Sequence, residues 1–166
     1  YKLSEAKEGN IIAKKALEEI TWRNLNPDDN TYFLSSGVSK MGPRDSAIAR
    51  TLMNRLIIPY FDNDGDMIFY QALDLSKTSK KKYINADVPR TNVIYGMDRV
   101  YEKNDNPLFI TEGYFDAVPL RGVALLENSI TAGQIEILKR TPRKKVFVPD
   151  KKSDSKSVVD KFKQLG

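Results

Sequence analysis

The sequence predicts an α/β protein, with an α+β N-terminal lobe followed by a parallel sheet with flanking helices. Two observations carry that prediction. From Asn106 onward, apolar runs alternate with helix-like segments in the order "PLFIT", "YFDAVPLRG", "VALL", "TAGQIEILKR", "KKVFVP" and "SDSKSVVDKFKQLG". A βαβαβα order implies crossover connections and a parallel sheet covered by helices. Ahead of it, "RLIIPYF" and "MIFYQALDL" flank "DNDGD", which reads as a β-hairpin with Asp64 and Gly65 at its tip. Two domains are expected, 1–100 and 101–166.

In the first lobe, residues 4–22 place Ile12, Ala16, Leu17 and Ile20 at the spacing of an amphipathic helix. A turn-rich connection leads to a second expected helix over residues 44–54. At the hairpin tip, Asp62, Asp64 and Asp66 alternate as in a calcium loop. The glycine, however, falls at the fourth position instead of the sixth, and Leu73 stands where the bidentate glutamate belongs. A polar turn is the better reading.

Composition excludes several chemistries. The chain has 166 residues, 40% hydrophobic and 30% charged, with neither cysteine nor histidine. Disulfides, thiolate nucleophiles, imidazole proton shuttles and a zinc site of nitrogen and sulfur ligands are all ruled out. Any metal must be a hard, oxygen-binding ion such as Mg²⁺, Mn²⁺ or Ca²⁺. No run of about 18 apolar residues exists to span a membrane. The start, "YKLSEAKEGN", lacks both a signal-peptide form and an initial methionine, so the chain reads as a piece of a larger cytoplasmic protein. Net charge is +5, and basic residues cluster in "SKTSKKK", "KRTPRKK" and "KKSDSK". Three such runs point to a polyanion partner, nucleic acid above all.

Ligands of parallel α/β sheets sit beyond the carboxyl ends of the strands. Glu112 follows the first predicted strand directly and Asp150 the third. Both are candidates for holding a divalent ion.

"LFITEGYFDAV" followed by "KVFVPD" resembles the TOPRIM domain of primases, topoisomerases and some nucleases. "KKYINADVPRTNVIYGMDRV" is similar to the basic segment and following "YG" element of bacterial and phage DNA primases. "SITAGQIEILKR" and the hairpin also resemble primase segments, so the similarity covers residues 55–166. The resemblance implies the RNA polymerase core of a primase: Mg²⁺- or Mn²⁺-dependent synthesis of short RNA primers from ribonucleoside triphosphates on single-stranded DNA. A replicative helicase would be the partner in the intact system.

It further implies that Glu112 and Asp150 are catalytic and, with Asp154, metal-associated. Gly113 would let the chain turn sharply and approach a ligand or helix. Asp116 either joins the site or caps the following helix. Lys81, Lys82, Tyr83 and Asn85 would form the nucleic-acid and nucleotide surface, with Arg90 and Arg99 as phosphate contacts. The loop over residues 78–82 is expected to order when nucleic acid binds.

The match departs from the family at "VPDKKSDSK", where Lys152 stands in place of a second aspartate. Asp154 could substitute, further ligands could lie beyond Gly166, or the site could be weakened. A second departure, "LLENS", leaves Glu127 either near the site or facing water. Two alternatives to a primase follow: a TOPRIM nuclease, and a nucleic-acid-binding module with a degenerate metal site.

Overall fold

The computed structural model describes residues 33–34, 55–65, 67–74, 77–127, 129–150, 159–160 and 162–163. The two expected N-terminal helices, Asp66, Lys152 and Asp154 lie outside them, as does most of the expected C-terminal helix. The chain divides into two units, Tyr1–Pro59 with Tyr70–Asp87, and Tyr60–Phe69 with Val88–Gly166.

β-branched and aromatic residues drive the first sheet. Its strands are β1 (Phe33–Leu34), β2 (Arg55–Phe61), β3 (Met67–Asp74) and β4 (Tyr83–Asn85), in the order β1-β2-β3-β4. β1 runs antiparallel to β2, with Phe33 opposite Ile57, and β4 antiparallel to β3, with Gln71 opposite Asn85. Between β2 and β3 the predicted tip is a polar turn. The Gly65 N–H donates to the Asp62 carbonyl at 3.2 Å, and Asp62 Oδ1 accepts from the Asp64 N–H at 2.9 Å. Gly65 has φ +88, which glycine adopts without steric cost.

The second unit holds the parallel sheet, β5 (Leu108–Thr111), β6 (Val123–Ala124) and β7 (Lys145–Val148), in the order β6-β5-β7. Its helices are α1 (Met97–Val100), α2 (Tyr114–Ala117) and α3 (Ala132–Lys139). Ile94, Leu108, Ile110, Val123, Leu125 and Leu138 form the centre of the core, each 1% exposed or less. Phe147 of β7 stacks on Phe162 at 4.6 Å. A chain of edge-on aromatic contacts runs from Phe69 through Tyr60 and Tyr95 to Tyr114. Burial pushes the Tyr95 phenol up from its ordinary pKa, against the pull of the Arg99 charge.

Two elements are shorter than the sequence predicts. Pro119 has no N–H to continue α2; the chain instead turns through Arg121 at φ +47, and the Gly122 N–H closes on the Ala117 carbonyl at 2.9 Å. A Cβ on Gly122 would lie 2.6 Å from the Phe109 carbonyl oxygen, so only glycine fits there. The run "VALL" pairs only at Val123 and Ala124. It leaves the strand conformation at Leu126, whose φ is +80.

α3 is fixed by one side chain. Thr131 and Gln134 form a reciprocal capping box. Gln134, 2% exposed, also donates its amide to the carbonyls of Val93 at 2.8 Å and Leu125 at 2.9 Å. Replacing it by leucine keeps the volume and strips two buried carbonyls and the half-buried Thr131 N–H of this partner. Gln134→Leu should lower the unfolding free energy by about 2–4 kcal/mol, read as a lower urea midpoint at unchanged slope.

Candidate functional site

Parallel pairing of β5 with β7 sets Thr111 against Val148, so both strands end at the same edge of the sheet. Glu112 leaves from one and Asp150 from the other. The Asp150 N–H donates to Glu112 Oε1 at 3.3 Å, which brings these two predicted residues together. Glu112 is half-buried and Asp150 exposed. Thr111, fully buried, holds the turn between them and the core, its hydroxyl lying 2.8 Å from the Gly113 carbonyl and 3.3 Å from that of Val123. Sequence reasoning passed over Thr111, although a hydroxyl at the end of an apolar strand is a signal for such a tie.

Two expectations for the following turn need correction. Gly113, with φ −116 and ψ 153, is extended, and a Cβ there would meet only Asp116 Oδ2 at 3.7 Å. The chain bends at Glu112 and Gly113 as expected, but neither a positive φ nor a close helix requires glycine there. Gly113 is itself the N-cap of α2, so Asp116 does not cap that helix; it lies exposed in its first turn. Among the described residues, no group of three or more carboxylates stands together as metal ligands.

The predicted basic strip lies in the first unit. Lys81 and Lys82 are exposed, and Tyr83 and Asn85 are half-buried on β4. The Lys82 ammonium sits 5.6 Å from the centre of the Tyr83 ring. On β3, Gln71 donates to the Asn85 side-chain oxygen at 3.2 Å, fixing which way that amide faces.

The loop before β4 is tied down, contrary to the expectation that it orders only with nucleic acid. Ser79 N–H donates to Asp74 Oδ2 at 3.0 Å, Lys81 N–H to Ser79 Oγ at 3.2 Å, and Asp74 N–H to the Lys82 carbonyl at 2.8 Å. Buried Arg55 donates to the Lys81 carbonyl at 3.0 Å and the Lys82 carbonyl at 3.3 Å. Arg55 was not singled out from the sequence, where an arginine opening an apolar strand is the only hint.

The remaining cations divide by role. Half-buried Arg99 sets its guanidinium 5.3 Å from the Tyr95 ring centre and donates to the Gly122 carbonyl, so part of its donor set serves the fold. Arg143 is 8% exposed and donates to the carbonyls of Asn106 at 2.7 Å, Arg99 at 2.8 Å and Pro107 at 3.2 Å. Arg140 donates to the Tyr101 hydroxyl and Lys145 to the Thr141 carbonyl, both at 2.9 Å. Much of the run "KRTPRKK" therefore serves the fold. Arg90 pairs with Glu127, both about half exposed, so Glu127 is shared between that guanidinium and water.

This arrangement defines a class by fold: an α/β protein in which one unit carries carboxylates on adjacent parallel strand ends and the other an antiparallel sheet with a basic strip. The DnaG primase catalytic domain bound to single-stranded DNA matches 84% of this chain and 56% of its own, with a TM-score of 0.64 at 20% identity. The zinc-binding and RNA polymerase domains of Aquifex aeolicus primase match 92% of this chain and 46% of their own, with a TM-score of 0.70 at 17% identity.

In sequence, the chain is similar to the DNA primase of Legionella pneumophila, 26% identical over 144 residues, and to that of Enterobacteria phage T4, 31% identical over 86 residues. The matches cover 78% and 50% of this chain, but only 25% and 22% of those relatives. The chain thus spans about a quarter of their length. No family model matches it.

If Arg90 contacts phosphate as the sequence predicts, its partner Glu127 competes with that contact. Glu127→Gln should then raise single-stranded DNA affinity roughly two- to fivefold and steepen the salt slope by about one. Because exposed pairs contribute little to stability, the unfolding midpoint should not move. Anisotropy titrations at several salt concentrations read both effects, and an unchanged slope removes Arg90 from the interface.

Proposed function

We propose that this chain is the catalytic core of a DNA primase, joining ribonucleotides into short RNA primers on a single-stranded DNA template. One observation supports this most: Glu112 and Asp150 stand on neighbouring parallel strand ends, joined by the Asp150 N–H at 3.3 Å. Two hard oxygen donors at one sheet edge suit Mg²⁺ or Mn²⁺, which is commonly held by one or two carboxylates with substrate phosphates completing the shell. A bound ion would neutralise charge on the triphosphate during phosphoryl transfer. Asp154 is the third candidate ligand.

Glu112 is also placed to take the proton of the primer hydroxyl. With an extended backbone and no side chain, Gly113 leaves room beside it for the nucleotide. Lys81 and Lys82 contact template phosphates, Tyr83 offers its ring to a base, and Asn85 offers its amide. Arg90 is a further phosphate contact. In the intact protein a replicative helicase is the expected partner and the cytoplasm of a bacterium or phage-infected host the expected location. Among the described residues, no helix is long and apolar enough to cross a membrane.

A second reading follows from the carboxylate count. Only two come together among the described residues, and Lys152 would weaken a cation site, which favours a single-stranded DNA-binding module that keeps the fold without the chemistry. The two separate in one assay, with the chain, a DNA template, ribonucleoside triphosphates and Mg²⁺ or Mn²⁺. A primase makes short RNA, and Glu112→Gln should reduce it roughly 10²- to 10⁴-fold while leaving DNA affinity nearly unchanged. Lys82→Ala should weaken both binding and synthesis. Binding without synthesis in the unaltered chain supports the module, and degradation of the DNA would turn the assignment to a nuclease.

A further inference from the structure

Arg55 opens β2 with 4% exposure and a charge that proteins do not remove. Its described partners are a hydroxyl and three main-chain carbonyls. One terminal nitrogen reaches the Ala72 carbonyl at 3.1 Å and the Lys82 carbonyl at 3.3 Å. The other reaches Ser79 Oγ at 2.9 Å and the Lys81 carbonyl at 3.0 Å. A planar fork thus joins β3 to the loop that carries the two exposed lysines. Ser79 Oγ also accepts from the Lys81 N–H at 3.2 Å, so the hydroxyl relays the clamp along the loop.

This geometry has an energetic consequence. Any loop conformation that withdraws Lys81 and Lys82 strips a buried guanidinium of three acceptors, and an unpaired buried charge is strongly unfavourable. The carbonyls are held inward and the lysine side chains are left outside. We infer that Arg55 is a positioning residue for single-stranded DNA, fixing the backbone of Lys81 and Lys82 so that binding carries little cost of ordering the loop. The inference rests on the proposed role of this strip as a DNA-binding surface. It goes further in assigning the pre-ordering to one buried side chain that touches no nucleic acid.

The test is a double-mutant cycle on the whole chain, with a fluorescent oligodeoxynucleotide as the probe and urea unfolding to establish that each variant is folded. Arg55→Gln should weaken binding about tenfold and speed amide exchange over residues 79–82. In a background with both Lys81→Ala and Lys82→Ala the same change should cost less than about twofold, because its effect passes through those two lysines. In a Glu112→Gln background it should keep its full effect. Arg55→Lys should not restore affinity, since one ammonium lacks the fork that serves acceptors on two segments.

If Arg55→Gln is folded and binds like the unaltered chain while Lys82→Ala weakens binding, the inference is overturned and the strip stands. If Lys82→Ala has no effect, the strip and the inference fall together. Should the Arg55 variants not fold, Ser79→Ala removes one acceptor from an exposed position. It should weaken binding about threefold and do nothing where Lys81→Ala and Lys82→Ala are both present; an unchanged affinity for Ser79→Ala overturns the inference.

Discussion

The second unit depends on β5. Among the described residues it is the parallel strand with a neighbour on each side, and its register with β7 decides which residues meet at the carboxyl edge. Slipping that register by one residue would turn the inward faces of Leu108 and Ile110 out of the core, so burial of the two side chains specifies where Glu112 emerges. Core packing and site geometry are one constraint here. Two carboxylates at one edge repel each other, and the Asp150 N–H aimed at Glu112 Oε1 offsets part of that repulsion before any cation is present.

Positive charge is distributed less simply than the net value of +5 implies. Arg55, Arg99 and Arg143 each direct their guanidinium donors at main-chain carbonyls inside the protein. Arginine suits this work because its flat fork satisfies several acceptors and its charge is weakly hydrated. The exposed lysines at positions 81 and 82 keep their ammonium groups in water. Counting cations along the chain therefore overstates the surface available to a polyanion. The residue type separates the two populations here better than clustering does.

That division explains what could be read from the sequence. The alternation of strands and helices, the hairpin with its Asp-Gly tip and the placement of Glu112 and Asp150 directly after strands follow from local periodicity and turn chemistry, which neighbouring residues carry. What local pattern does not carry is the choice of a distant partner. Arg99 is engaged by Tyr95 and Gly122, and half-exposed Glu127 pairs with Arg90 across 37 positions. Left-handed backbone at Arg121 and Leu126 shortened two elements at residues whose types give no warning of it.

The loop before β4 shows the same dependence from the other side. Its composition over residues 77–82, lysine, serine and threonine with no large apolar residue, is that of a solvated segment, and by itself it has no means of offsetting the entropy of being ordered. Order comes from β2, through a cation that must find acceptors because it is buried. The loop supplies carbonyls that any sequence would supply, plus one serine hydroxyl. A basic loop can then vary at its exposed side chains without losing its shape, whereas a change at the buried arginine would remove the ties that β2 makes to Ser79, Lys81 and Lys82. If the strip binds single-stranded DNA as proposed, its affinity is controlled at a position that no inspection of surface charge would select.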